Sequence, residues 1–117
     1  MNTSNKAEFL LIFRDSNLAP DPSAEEMEAI MGKWMAWLNG LKAQGTLLGG
    51  NRLEDGRKIV RGAKFTDGPY VESKEVISGY IAVYADSLEK AEKVAEGCPG
   101  LEYGTIVEVR PMMPSHF

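Results

Sequence analysis

The stretch from Phe65 to Ala85, F-T-D-G-P-Y-V-E-S-K-E-V-I-S-G-Y-I-A-V-Y-A, constrains this chain most. Its second half, Val76 to Ala85, reads as a central β-strand. One parity carries Ile77, Gly79, Ile81 and Val83, and the other carries Ser78, Tyr80, Ala82 and Tyr84. Alternate residues of a strand point to opposite faces. The aliphatic parity is therefore expected against helices, and the tyrosine parity against something partly polar. The first half is a stiff turn. Pro69 fixes its own φ and offers no N–H, and it holds Gly68 extended. Asp67 would ordinarily accept the N–H two residues on, but that residue is Pro69. Its carboxylate is left for Tyr70 N–H, a more distant donor or a ligand. A structural turn and a carboxylate aimed into a pocket are both compatible with this.

The segments on either side supply partners for that strand. Glu8 to Arg14 is apolar on both parities, which predicts a central strand covered on both faces. Ser23 and Glu26 form a capping box, with Ser23 as N-cap and Glu26 at N3. Met27, Ile30, Met31, Trp34, Leu38 and Leu41 then mark one helical face, with Met35 and Trp37 off the stripe. Gly45 is the expected stop. Thr46 to Leu53 reads as a strand in which Gly49 and Gly50 predict a bulge or a close backbone approach. Asp55-Gly56 is a hairpin signal, with Arg57 to Arg61 as a short return strand at an edge. Asp86 as N-cap and Glu89 at N3 predict a second helix carrying Leu88, Ala91, Val94 and Ala95, stopped at Gly97. Thr105 to Arg110 is a closing strand, ended by Pro111.

The order is the α+β, ferredoxin-like βαββαβ arrangement with an extra hairpin strand, its helices on one face of an antiparallel sheet. At 117 residues the chain is read as a single domain, 1–117, with tails at 1–7 and 112–117. Such a sheet has one face that the helices do not cover, a dimer surface or the wall of a ligand pocket.

Several functions are excluded or disfavoured. A net charge of −4 offers no basic field for nucleic acid. The apolar run Phe9 to Phe13 is too short to span a membrane. With one cysteine, no intrachain disulfide forms, and no apolar signal region opens the chain; both point to the cytoplasm. No nucleotide loop and no metal site is legible, so no cofactor is implied. Cys98 at a helix C-terminus reads as a packing residue. His116 reads as a tail imidazole, and the run Glu72 to Glu75 as a solvated loop or a substrate clamp.

The constellation that carries chemistry is Arg14, Asp67, Tyr80, Glu108 and Arg110. Arg14 and Arg110 end neighbouring antiparallel strands, which sets them at opposite ends of the sheet. Glu108 and Arg110 share a parity. An ion pair within the sheet is one reading. The other is a pocket offering a carboxylate, a guanidinium and a phenol to a small anionic or phenolic ligand, able to move a proton on it.

Thr66-Asp-Gly-Pro-Tyr-Val-Glu-Ser-Lys-Glu75, Gly79-Tyr80, the Asp86-Ser-Leu-Glu helix start and Val107-Glu-Val-Arg-Pro111 resemble the DGPF group of YCII-related proteins. Phe9-Leu-Leu-Ile12, the helix start at Glu25 and Gly45-Thr-Leu-Leu-Gly-Gly50 agree, so the resemblance covers nearly the whole chain. Tyr70 stands where the group usually has Phe. The resemblance implies a ferredoxin-like domain that dimerises through its sheet faces into an α+β barrel, in a group for which no general activity is established. Some relatives pair a His on the first helix with an Asp. That position falls near Trp34 here, which makes Trp34 both a residue of the buried stripe and a ligand-binding candidate, and leaves the chain without the imidazole. Relatives are also encoded with or fused to extracytoplasmic sigma factors. Two classes follow: a small-molecule-binding or accessory homodimer, and a lyase- or isomerase-type enzyme with Asp67 as acid or base.

Overall fold

The computed structural model describes residues 6–16, 21–54, 56, 60, 62 and 75–114. The Asp67-Gly68-Pro69 turn, the return strand Arg57 to Arg61 apart from Val60, the Glu72 to Lys74 run and His116 lie outside the described residues; Val60 is exposed and is assigned to no strand.

Four strands, β1 (Ala7–Ser16), β2 (Leu47–Arg52), β3 (Glu75–Ala85) and β4 (Ile106–Pro111), form one antiparallel sheet in the order β2-β3-β1-β4. Two helices, α1 (Ala24–Ala43) and α2 (Leu88–Glu96), pack on one face, and a 3-10 helix, Pro99–Tyr103, leads into β4. This is the ferredoxin-like arrangement, with β1 and β3 central. Hydrogen bonding runs into both expected tails: Ala7 pairs with Ala85, and Met112 N–H donates to Glu8 O at 3.0 Å.

The core is the helix-facing parity of the two central strands. Phe9, Leu11, Phe13, Ile81 and Val83 are buried there with Leu41, Ala91, Ala95 and Cys98, and Leu11 and Val83 are fully sealed. Helix α1 starts as its sequence dictates. The Ser23 hydroxyl accepts Glu26 N–H, and the Glu26 carboxylate accepts Ser23 N–H, both at 3.1 Å. That bonding holds the Glu26 carboxyl below its usual range. The helix ends at Gln44, and Gly45 turns the chain at φ 73°.

Its inward face differs from the expected stripe. Trp37, placed off the stripe, joins Trp34, Leu38 and Leu41 against the core. It lies about 60° around the helix from Trp34, and an indole is large enough to reach inward from that margin. Trp34, Trp37 and Phe13 meet edge to face, with ring centroids 4.9–6.2 Å apart. Met27, expected inward, is exposed.

A second difference lies in β3. Phe13 pairs with Gly79, but Arg14 pairs with Ile77, so Ser78 is a bulge residue. A bulge inverts the parity beyond it. Ile77, expected against the helices, instead stands half-exposed on the other face. In β2 the register also shifts, between Leu47 and Gly49. Gly50 there has φ 154°, and a Cβ on it would sit 2.3 Å from Tyr80 O, so Gly50 permits the close approach its sequence suggests. The cap of α2 is Ser87, whose hydroxyl accepts Lys90 N–H at 3.2 Å, not the expected Asp86.

Candidate functional site

The face of the sheet opposite the helices gathers most of the candidate residues. Register fixes its rows. Asn51, Tyr80, Ile12 and Glu108 lie across the four strands in one row. Gly49, Ala82, Leu10 and Arg110 form the next, and Ile77, Arg14 and Ile106 lie on the other side of the Glu108 row. Glu108 is therefore the midpoint between the two arginines along β4. The backbones of Arg14 and Arg110 sit apart, as expected of strand ends, but their side chains converge. Arg14 Nη2 bonds Glu108 Oε1, and Arg110 Nε approaches Glu108 Oε2 at 3.8 Å.

Around this row the face is apolar. Leu10 and Ile12 are half-buried, and Ile77, Tyr80 and Ile106 are exposed by 49%, 39% and 50%. Neither helix covers them, so β1 is covered by helices on one face only. The Tyr80 and Glu108 positions are two strand spacings apart, about 10 Å. A small ligand can span that gap, which no hydrogen bond between the two side chains bridges. The arrangement supplies a carboxylate held between two guanidinium groups, with a phenol across an aliphatic floor.

Trp34 sits on the opposite side of the sheet, in the aromatic cluster with Phe13 and Trp37. The structure thus brings Arg14, Tyr80, Glu108 and Arg110 to one face and separates Trp34 from them. Asp67, Gly68 and Pro69 fall outside the described residues.

A second polar group was not foreseen. Asp15 accepts the Ser78 hydroxyl through Oδ2 and the Thr105 hydroxyl through Oδ1, the latter at 2.6 Å. It ties β1 to the β3 bulge and to the entry of β4, on the helix side of the sheet. Gly100 backs this cluster: a Cβ there would lie 2.7 Å from Thr105 Oγ1 and 2.9 Å from Trp34 Cζ2. Cys98 lies nearby and is buried. Burial pushes its thiol up to about 11; the N–H groups of Gly100 and Leu101 oppose that, and the Asp15 charge adds to it. A thiol so placed is neutral at pH 7 and a poor nucleophile. Among the described residues, no group of three His, Cys, Asp or Glu is placed to hold a metal ion.

The fold and this face define a ferredoxin-like α+β domain with an open, partly charged sheet surface. The YCII-related domain matches residues 7–114, and the chain belongs to that family. A comparison with curated protein sequences finds no relative. Among solved structures, 5-chloro-2-hydroxyhydroquinone dehydrochlorinase from Burkholderia phenoliruptrix AC1100, in complex with 2,5-dihydroxybenzoquinone, is 20% identical. The match covers 86% of this chain and 90% of that one, at a TM-score of 0.48. No described helix is long and apolar enough to cross a membrane.

Proposed function

We propose that this chain is a homodimeric small-molecule-binding or accessory protein whose pocket forms where two open sheet faces meet. The observation that carries this is Glu108, held between Arg14 and Arg110 on an apolar face that neither helix covers. Leu10, Ile12, Ile77, Tyr80 and Ile106 supply apolar area of the kind that marks an interaction surface. Arg14 and Arg110 stand with Glu108 and Glu8 on this parity, so the charges of the face balance and the anion site is local to Arg110. The Arg110 side chain is 65% exposed, so its N–H fork is open to an anion. The ligand class is accordingly a small anion, with Tyr80 suited to stack on or bond a phenolic ring. A single cysteine suits a reducing compartment such as the cytoplasm.

The test is an NMR titration with 4-hydroxybenzoate, a compact phenolic anion. Binding on this face shifts the amides of Leu10, Ile12, Tyr80 and Arg110, and Arg110→Ala weakens it at least about tenfold without moving the melting curve. Absence of shifts at millimolar ligand, or shifts confined to the helix side, overturns the reading. The enzymatic alternative rests on Asp67, and a substitution at that residue tests it below.

A further inference from the structure

We infer that the anion site at Arg110 continues into a slot over Gly49 and Ala82, and that its ligand is an aryl ring carrying a carboxylate on a short spacer. This deepens the reading above and rests on it, because it takes the open face as the binding surface.

The slot begins with a glycine that the fold of the chain does not require. Gly49 has no positive φ, and among the described residues a Cβ there would meet no atom within 4 Å. Gly50 is the opposite case, where a Cβ would overlap Tyr80 O and the Ile81 side chain. Glycine inside a strand weakens it, and no close contact among the described residues offsets that at position 49. What Gly49 provides is space above the sheet. Ala82, its partner on β3, continues that space. When two sheets close face to face about 10 Å apart, side chains fill the gap between them. Positions that carry almost none leave a cavity.

The residues around it set the ligand. Tyr80 and Tyr84 occupy the β3 positions of the two neighbouring rows, each about 7 Å along the strand from Ala82. A ring laid over Ala82 lies between two phenols, at about the spacing that aromatic pairs favour. The same row then runs through Leu10 to Arg110. The backbone of Arg110 is two strand spacings from Ala82, about 10 Å. Its Nε stands 3.8 Å from Glu108 Oε2, too far for a hydrogen bond, so Glu108 orients the guanidinium without occupying its N–H fork. A carboxylate bonded directly to the ring falls short of Arg110. A spacer of two carbons lies over Leu10 and carries the carboxylate to it.

The experiment is an NMR titration of the full chain with 4-hydroxybenzoate and with 3-(4-hydroxyphenyl)propanoate, which sets the same phenol and carboxylate further apart. The propanoate binds at least about fivefold more tightly and shifts the amides of Gly49, Ala82 and Arg110. Gly49→Val fills the slot at a position whose backbone accepts a side chain. It weakens the propanoate at least about tenfold with the melting temperature unchanged or raised. Ala82→Leu weakens it as much with the chain's mass in solution unchanged. Equal affinity for the two ligands, or affinity indifferent to both substitutions, overturns the slot and leaves the anion site of the open face standing. Absence of binding by either ligand, or shifts confined to the helix side, overturns both. A loss of dimer mass in Ala82→Leu also overturns the slot, by assigning its space to a side chain of the second copy.

Discussion

Glu108→Gln separates a surface ion pair from a buried one. On an isolated chain, Glu108 and Arg14 are each about a third exposed (33% and 37%). Exposed pairs of this kind contribute about 0–1 kcal/mol. When two such faces close on each other, water leaves the row and the substitution strands Arg14 and Arg110 as like charges on either side of a neutral amide. Removing one partner of a buried pair costs about 3–5 kcal/mol, here in each protomer. The loss therefore depends on protein concentration. Where the wild type is associated, Glu108→Gln should lower stability by several kcal/mol and raise the dissociation constant by orders of magnitude. Where both are dilute monomers, the two should unfold within about 1 kcal/mol of each other. Urea unfolding across a concentration series, with sedimentation velocity on the same samples, measures both. A cost below about 1 kcal/mol at every concentration, with assembly unchanged, would refute the burial of this row.

Gly100→Ala should cost about 2–5 kcal/mol, from overpacking against Trp34 and displacement of the Thr105 hydroxyl from Asp15; a loss under about 0.5 kcal/mol in urea unfolding would mean that this corner is loose. Cys98 is pushed from 9.0 to about 11 in the folded chain, so unfolding releases its proton between those values and stability falls as pH rises through that window. The fall amounts to roughly 3 kcal/mol at most. Cys98→Ala should show a correspondingly flatter stability profile from pH 9 to 11, and identical slopes would contradict the burial of the thiol. Asp67→Asn should change stability by less than about 1 kcal/mol and Asp67→Ala by about 1–3 kcal/mol if the turn is structural. Loss of turnover or of ligand binding in Asp67→Asn at an unchanged melting temperature would identify an acid–base or ligand role. If neither substitution alters stability or binding, the turn does not organise the protein.

The parts of this fold that were legible in the sequence are those set by local chemistry. The capping box at Ser23 and Glu26, the left-handed turn at Gly45 and the two-glycine approach in β2 each depend on a few adjacent residues. The open face was legible because strand parity is strict: Tyr80, Glu108 and Arg110 follow from it once the helices are assigned to one side. Register was not legible. The bulge at Ser78 moves Ile77 to the other face, and the neighbouring Gly79 marks a bulge or a close backbone approach without telling which. Asp15, Ser78 and Thr105 are 63 and 90 residues apart along the chain, so their cluster exists only after pairing. Trp37 was missed because a helical stripe counts angle and not side-chain reach. Ser87 and Asp86 are both competent caps, and backbone conformation decided for the first of them.

The most direct measurement is the mass of the chain in solution by light scattering at micromolar concentration, for the wild type and for Ile12→Arg. Ile12 lies between Tyr80 and Glu108 in the central row of the open face. If two such faces close into one pocket, the wild type scatters as about twice 12.9 kDa, and Ile12→Arg as a folded monomer. A wild type that persists at 12.9 kDa, or an Ile12→Arg variant that stays dimeric, would contradict it.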